Sequence, residues 1–283
     1  MPLPPPMLIG SGSTGRAVLH APLSASALPG DGRGVGRSGR RRKFDTPGAP
    51  LHPRLMDFPG HPDVTVHRFG REAEPVVTID RFSGLVPELL RRGRVAQYRP
   101  GGAAYPGIRG PAVPDYLDGR RDLLLSILHG VFGLRHRVEL ESSMFSIVAK
   151  PPAALAPMQR LPHFDHAGPG IIAAMHYLLG PATGGTAFYR HRRTGFETID
   201  AAREPLYREA QMLDEREYGV PPEGYHYGDS DRYEMIGEIE AQPDRFAIYR
   251  GYMLHSGVVT DAANLSPDPR TGRLTVNMFL RGA

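Results

Sequence analysis

The chain contains no cysteine, and this absence excludes three kinds of chemistry. Disulfide bridges, zinc sites built from thiolates and cysteine nucleophiles all require a thiol. A metal ion in this protein would therefore have to be held by imidazole and carboxylate groups. Such groups suit hard or intermediate metal ions rather than soft ones.

Long apolar runs are also missing. No stretch of the 283 residues is apolar over the length of a transmembrane helix. The first residues lack the basic start and the clean apolar core of a signal peptide. The length suits one large domain or two small ones with a substantial core. We therefore expect a soluble, cytoplasmic protein with no membrane partner.

An excess of positive charge is missing from most of the chain, although the formal net charge is +4. Residues 1–55 hold 8 Lys and Arg against 2 Asp and Glu, whereas the other residues hold 26 against 28. In the first segment, 18 of the 55 residues are Gly or Pro. This composition predicts a disordered tail over 1–55 and a single domain over 56–283 without a nucleic-acid surface. An alternative is that translation begins at Met56.

Short strand-like segments separated by Gly- and Pro-rich turns dominate the second half of the chain. They are 143–148, 171–179, 246–249 and 273–280, and two more are expected at 64–69 and 76–80. Leucine spacing predicts helices at 82–92 and 117–133, whereas 100–114 reads as a loop. We expect a mainly β protein with helices (α+β), built as a β-sandwich or jelly roll. An insertion at about 194–242 carries charged helical sequence.

The motif His163-Phe164-Asp165 is the most informative feature of the sequence. Alternate side chains of an extended segment share a face, so His163 and Asp165 point together while Phe164 and His166 point the other way. Two histidines and one carboxylate can occupy one face of an octahedral metal and leave other positions open for chemistry. His255 follows a strand later in the chain and is the expected third ligand.

Further residues follow in order along the chain. Tyr177 lies near the end of a strand-like run, Gly184-Gly185-Thr186-Ala187-Phe188 forms a turn, and Arg273 opens the last strand eighteen residues after His255. Together with the His-x-Asp motif, this series resembles the iron(II)- and 2-oxoglutarate-dependent dioxygenases, especially their prolyl-hydroxylase-like branch. The resemblance covers about 145–280. The turn departs from the family because it has no spacer between its glycines and its threonine.

The resemblance implies a fold and a set of cofactors. The core would be a double-stranded β-helix (jelly roll) with N-terminal helices packed on one sheet. His163, Asp165 and His255 would bind iron(II), with 2-oxoglutarate and dioxygen as co-substrates. Decarboxylation of 2-oxoglutarate to succinate and carbon dioxide would be coupled to hydroxylation of an unactivated C–H bond. The segment Tyr105-Pro106-Gly107-Ile108-Arg109 further resembles uncharacterised bacterial families of this superfamily.

The distal carboxylate of 2-oxoglutarate needs a cation, and Arg273 is the expected anchor. Thr275 lies two residues on and hence on the same strand face, where its hydroxyl would assist, as in the family's Arg-x-Ser/Thr pattern. Asn277 continues this polar face. Arg270 is the alternative anchor, although its surroundings suggest a loop. Tyr177 either hydrogen-bonds the co-substrate or packs in the core.

Two other histidines have ordinary interpretations. His176 faces away from Tyr177 and is expected to be structural, whereas His191, beside three arginines, is expected on the solvated surface. Two other classes of function stay open. One is a cupin-type metal enzyme that uses no 2-oxoglutarate and needs no Arg273, and the other is a non-catalytic jelly-roll binding module. The expected partner is a small-molecule or peptide substrate, selected by the stretch 194–242.

Overall fold

The computed structural model describes residues 61–135, 137–259, 261–262 and 265–282. The tail expected over 1–55 lies outside these residues. The strands of the described residues are β1 (Asp63–Arg68), β2 (Pro75–Asp80), β3 (Arg99–Pro100), β4 (Gly107–Pro111), β5 (Val138–Val148), β6 (Ile171–Tyr177), β7 (Gly185–His191), β8 (Tyr233–Glu240), β9 (Arg245–Arg250), β10 (His255–Val258) and β11 (Arg273–Gly282).

Helices are few and short. The α-helices are α1 (Val86–Arg94), α2 (Arg121–Gly130) and α3 (Glu204–Tyr218). Single 3-10 turns or short 3-10 helices cover Pro114–Arg120, Pro152–Ala154, Pro157–Arg160 and Pro181–Thr183. Within the part of the chain that the structure describes, no helix combines the length and the apolar character needed to cross a bilayer.

The strands form two antiparallel sheets. The larger sheet has eight strands in the order β1-β2-β9-β6-β11-β5-β4-β3, and the smaller one has three in the order β10-β7-β8. Neighbouring strands pair in the antiparallel sense in both sheets. The expectation of a mainly β protein with a few helices is therefore confirmed.

One face of the large sheet is apolar and packs against the helices. Leu274, Val276 and Met278 of β11 lie in a buried cluster that also contains Leu89 of α1 and Leu124 of α2. Every second residue of a strand faces the same side, so this alternation directs the apolar half of β11 toward the helices. Each such side chain, fully buried, contributes roughly 1.5–3 kcal/mol. This packing fixes the position of β11, which carries Arg273.

The opposite face of the large sheet carries a row of polar residues. Arg109, Ser146, Thr275 and Tyr177 are directly paired across β4, β5, β11 and β6. Directly paired residues point to the same side of an antiparallel sheet. Tyr177 shares a buried cluster with Phe188 of β7, so this row faces the small sheet. Polar groups from four neighbouring strands therefore point into the space between the two sheets.

The segment 100–114, expected to be a loop, contains the strand β4. A side chain at Gly107 would overlap the carbonyl oxygen of Ile147 on β5, so only glycine allows the two strands to approach this closely. Glycine suggests a loop when the sequence is read alone, but at position 107 it is required for the pairing of β4 with β5. The stretch 194–242 likewise contains α3 and β8, and β8 pairs with β7 in the small sheet.

Candidate metal centre

Main-chain hydrogen bonds bring His163, Asp165 and His255 together. His163 and His255 exchange two N–H···O bonds of 2.8 Å across an isolated antiparallel bridge. The amide of Asp165 donates to the carbonyl oxygen of Gly251 at 2.7 Å. His255 also pairs with Phe188, which attaches the start of β10 to β7. The three side chains are thus positioned by backbone segments that are themselves hydrogen-bonded.

The three side chains face one another. One ligand atom from each residue lies within 4.8 Å of the others. The two carboxylate oxygens of Asp165 lie 3.9 Å from Nε2 of His163 and 3.5 Å from Nε2 of His255. These separations are too long for hydrogen bonds and fit three donors grouped around a common point. The arrangement that the His-x-Asp alternation predicts is therefore present.

The hydrogen bonding of His255 leaves a lone pair for a metal ion. Its Nδ1 lies 2.9 Å from the carbonyl oxygen of Met253. A carbonyl oxygen only accepts, so Nδ1 donates, and Nε2 of the neutral ring carries the lone pair on the side of Asp165. A contact of this kind orients most metal-binding histidines. Two imidazoles and one carboxylate are also a donor set that suits iron(II), so the residues present fit this ion.

The electrostatics of the triad favour a bound cation. Burial raises the pKa of Asp165, while the nearby His255 and Arg109 oppose this shift. Desolvation, His255 and Arg109 lower the pKa of His163, although 53% of its side chain is exposed. His163 is therefore neutral at pH 7 and keeps a lone pair. A carboxylate whose charge is disfavoured by burial gains most from a cation placed beside it.

The triad has one closed side and one open side. The ring of Tyr249 packs against His255 with a centroid separation of 4.9 Å, and the ring of Phe188 lies 6.5 Å away. The His255 side chain is only 6% exposed. Because half of His163 is accessible, a ligand would reach the triad from the His163 side.

Arg273 is held in place by the turn that precedes β7. Its Nε donates to the carbonyl oxygen of Thr183 at 2.5 Å, and its Nη2 donates to that of Gly185 at 2.9 Å. Gly184 makes this turn possible, because it has φ +92° and a side chain there would overlap the carbonyl oxygen of Val258. A guanidinium group has five N–H groups, so the others can pair with a carboxylate.

The hydroxyl groups expected to bind the co-substrate have partners within the protein. Oγ1 of Thr275 lies 2.8 Å from Oδ1 of Asn277. The phenolic oxygen of Tyr177 lies 2.6 Å from Oγ1 of Thr186, and the Tyr177 ring is buried. Each hydroxyl oxygen retains a lone pair and can rotate toward a ligand. Their role in binding the co-substrate stays a prediction.

Arg270, the alternative anchor, lies outside this arrangement. Its side chain is 75% exposed, and its Nε lies 3.4 Å from Oδ1 of Asp268. Arg273, in contrast, is buried on the strand face that meets the small sheet. The position of Arg270 in a turn agrees with the loop expected from its sequence context.

The two remaining histidines are both core residues. Nε2 of His176 lies 2.9 Å from Oδ1 of Asp244, and the ring stacks on Tyr116, as expected for a structural residue. His191 is fully buried, with Nε2 2.7 Å from Oδ2 of Asp214. The expectation that His191 lies on the surface is therefore wrong. Its partner comes from α3, and such a contact cannot be read from neighbouring residues in the sequence.

Arg109 is a residue of the site whose role the sequence did not suggest. Its charge acts on both His163 and Asp165. Its guanidinium carbon lies 4.0 Å from the centre of the Tyr105 ring. The sequence feature that could have identified Arg109 is the segment 105–109, which resembles sequences of uncharacterised bacterial families. Because that segment reads as a loop, no direction could be assigned to the Arg109 side chain.

Three solved structures show what the chain is similar to. The non-heme alpha ketoglutarate dependent epimerase SnoN from nogalamycin biosynthesis is 12% identical, with 74% of this chain and 79% of that chain covered and a TM-score of 0.41. HygX from Streptomyces hygroscopicus, bound to nickel, 2-oxoglutarate and hygromycin B, is 12% identical. The match covers 75% of this chain and 84% of HygX, with a TM-score of 0.40. An N-substituted L-amino acid dioxygenase from Burkholderia ambifaria is 13% identical, with 78% and 94% covered and a TM-score of 0.39.

With TM-scores of 0.39–0.41, these likenesses carry no argument about the reaction, which depends on the residues of the site. No curated protein matches the chain. A sequence profile described as "Family of unknown function (DUF6445)" matches residues 60–280.

Proposed function

The chain belongs to the family of unknown function DUF6445, and from its site we propose that it is an iron(II)- and 2-oxoglutarate-dependent oxygenase. It would hydroxylate an unactivated C–H bond of a small molecule or a peptide. The observation that carries this proposal is the grouping of His163, Asp165 and His255, together with a buried arginine, Arg273, on the face of the large sheet that is directed toward the small sheet. Tyr249 packs on the ring of His255 and lies in the same buried cluster as Tyr177, which is paired with Thr275 on the strand that carries Arg273.

The proposal includes the fold and the domain organisation. Residues 56–283 would form one domain whose two sheets are the halves of a double-stranded β-helix. Two observations support this: the small sheet supplies His255, and the large sheet supplies Arg273 on the face directed toward the small sheet. The helices α1 and α2 cover the other face of the large sheet. Residues 1–55 would be a tail outside this domain.

Each site residue would have a distinct task. Iron(II), when bound by His163, Asp165 and His255, would supply the redox chemistry that couples decarboxylation of 2-oxoglutarate to oxidation of the substrate. The Nδ1–H bond of His255 to Met253 fixes the ring and its tautomer before any ligand binds. Tyr249 packs on the same ring and keeps water from the closed side of the triad.

Arg273 would receive the distal carboxylate of 2-oxoglutarate. Its guanidinium is already positioned by the carbonyl oxygens of Thr183 and Gly185, so little conformational entropy is lost when the anion binds. A charge-assisted, bidentate contact is the strongest that a side chain can offer a carboxylate. Thr275 and Tyr177 would contribute hydroxyl contacts from neighbouring strands of the same face.

An anaerobic titration with iron(II) and 2-oxoglutarate tests the proposed function. We expect the wild-type protein to develop a weak visible charge-transfer band when both are present, and Asp165→Ala to develop none. Iron binding without a band on addition of 2-oxoglutarate would favour the cupin-type enzyme. A wild-type protein that takes up no iron, and that produces no succinate when the same mixture is exposed to air, would instead favour the non-catalytic binding module.

A further inference from the structure

A second cavity of the protein, about 430 Å³ in volume, lies beside the end of α3. Its wall is formed by Arg160 and Leu161, by Tyr218 at the end of α3, and by the segment before β8 that carries Asp231 and Arg232. A cavity of this size is within the range of sites that bind small organic molecules. The wall combines apolar surface with charged groups, as such sites do.

This cavity and the triad lie on opposite faces of the small sheet. Phe188 and Tyr189 are neighbours on β7, so their side chains point to opposite faces and belong to different buried clusters. Phe188 lies on the side of His255, with ring centroids 6.5 Å apart. Tyr189 contacts His226, which lines the cavity, with ring centroids 4.9 Å apart. The cavity is therefore separate from the candidate metal centre.

Two arginines of the cavity are held by carbonyl oxygens. Arg160 donates through Nε to the carbonyl oxygen of Leu155 at 3.0 Å and through Nη1 to that of Pro221 at 3.1 Å. The buried Arg232 donates through Nη2 to the carbonyl oxygen of Gly219. Within the described part of the chain, no carboxylate forms an ion pair with either guanidinium. Each guanidinium has five N–H groups, so both keep donors for a ligand.

These partners differ from those of other well-buried arginines. Arg190 pairs with the carboxylate of Glu197, and Arg245 pairs with that of Asp80. Arg273, whose expected partner is a carboxylate of the co-substrate, is likewise held by carbonyl oxygens. A buried charge without a counter-charge is costly. Two such arginines around one cavity therefore indicate an anionic ligand.

The two guanidinium groups are close enough to bind one ligand. They hold the carbonyl oxygens of Pro221 and Gly219, which are two residues apart in the chain. The Cα atoms of these two residues are therefore at most about 7 Å apart. Both arginines also line the same cavity.

From these contacts we infer that the cavity is a second binding site, and that its ligand is a small organic acid with one carboxylate. The carboxylate would bridge Arg160 and Arg232 through charge-assisted hydrogen bonds. The apolar part of the acid would pack against Leu161 and Tyr218, which line the cavity. The inference does not depend on the proposed function, because the cavity lies on the other face of the small sheet.

The acidic residues of the cavity determine the charge that a ligand should carry. The Asp229 carboxylate lies 3.0 Å from Nη2 of Arg192, so its charge is balanced. Asp231 is exposed and has no such counter-charge among the residues that the structure describes. Arg160 and Arg232 together with Asp231 leave one surplus positive charge. A monocarboxylate cancels this surplus, whereas a phosphate dianion would leave a negative charge in the cavity.

Titration calorimetry on the full chain at neutral pH tests the inference. The probes are phenylacetate, its uncharged analogue phenylacetamide, and inorganic phosphate. We expect phenylacetate to bind at least about ten-fold more tightly than either of the others. Arg160→Gln should remove this preference, and Arg160→Lys should retain part of it. Arg91→Gln is the matched control, because it removes the same charge from an exposed position on α1, which covers the far face of the large sheet.

Asp231→Asn tests the same site through a gain in affinity, which a folding defect could not produce. Removal of this negative charge should tighten phenylacetate binding by about two- to five-fold. Equal binding of phenylacetate and phenylacetamide by the wild type, or no gain in Asp231→Asn, would overturn the inference. So would a preference that survives in Arg160→Gln, because the acid would then bind elsewhere, for example at Arg273. Phosphate that binds as tightly as phenylacetate would overturn the assignment to a monocarboxylate.

Discussion

At the scale of single residues, His163 and His166 form a matched pair for testing metal binding. Nε2 of His163 faces Asp165, whereas Nδ1 of His166 accepts a hydrogen bond from the amide of Gly168 at 2.8 Å. We expect His163→Ala to weaken iron(II) binding by at least about 100-fold, since loss of a direct ligand exceeds the 10–100-fold typical of residues that only orient ligands. His166→Ala should leave the affinity nearly unchanged. Equilibrium dialysis with iron measured in both chambers gives the two constants, and equal losses would contradict the assignment.

The anchor assignment depends on the contrast between Arg273 and Arg270. Arg273→Ala removes a buried guanidinium that would make two charge-assisted hydrogen bonds, each contributing about 1.5–3 kcal/mol. We expect iron(II) affinity to be unaffected and the concentration of 2-oxoglutarate for half-maximal binding to rise on the order of 100-fold or more. Arg270→Ala serves as the control, because its side chain is 75% exposed. An unchanged 2-oxoglutarate requirement in Arg273→Ala would show that the anchor lies elsewhere.

At the scale of elements, Asp244 joins β6, β9 and the turn before α1. Its carboxylate accepts hydrogen bonds from His176, from the amide and hydroxyl of Ser83, and from the amide of Gly84. Burial by itself would raise the pKa of Asp244, but these hydrogen bonds outweigh it and lower the pKa to about 2. The folded state therefore releases this proton more readily than the unfolded chain. The resulting stabilisation is complete above about pH 4 and is lost as the pH falls through 2.

This linkage predicts a pH-dependent effect of Asp244→Asn. The variant should lower the free energy of unfolding by about 2 kcal/mol at pH 7, and the difference from wild type should fall to about half of that at pH 3. Urea unfolding at the two pH values measures both differences. Asp115→Asn, which removes an exposed ion pair with Arg92, should cost at most about 1 kcal/mol at pH 7. A difference for Asp244→Asn that does not change between pH 7 and pH 3 would rule out this account.

The elements that the sequence predicted well are those whose pattern is local. The alternation of β11 follows from Leu274 and Val276 on one side and Arg273 and Thr275 on the other, and the structure has this arrangement. β4 was missed, because the need for glycine at position 107 arises from the close approach of β5. Close approach of a distant segment leaves no local pattern, so a glycine-rich strand of this kind is read as a loop.

At the scale of the whole molecule, the triad could be anticipated, but the second arginine could not. His163 and Asp165 are two residues apart, so strand alternation was enough to place them on one side. Their grouping with His255 followed from the order of motifs. Arg109 joins the polar face of the large sheet only through the pairing of β4 with β5 and of β5 with β11, which is a property of the sheet. A residue that is placed by such pairings depends on tertiary structure and leaves no local pattern in the sequence.

The charge distribution leads to a prediction about the whole chain. Residues 1–55 carry 8 basic and 2 acidic residues, and the family match begins at residue 60. We expect a chain that starts at Met56 to keep its free energy of unfolding within about 0.5 kcal/mol and its iron(II) affinity within two-fold, because no side chain of the candidate site is removed. The shortened chain should also lose retention on a cation-exchange column at pH 7, since the remaining residues hold 26 basic against 28 acidic side chains. A loss of stability above about 2 kcal/mol would instead mean that the first segment packs on the domain.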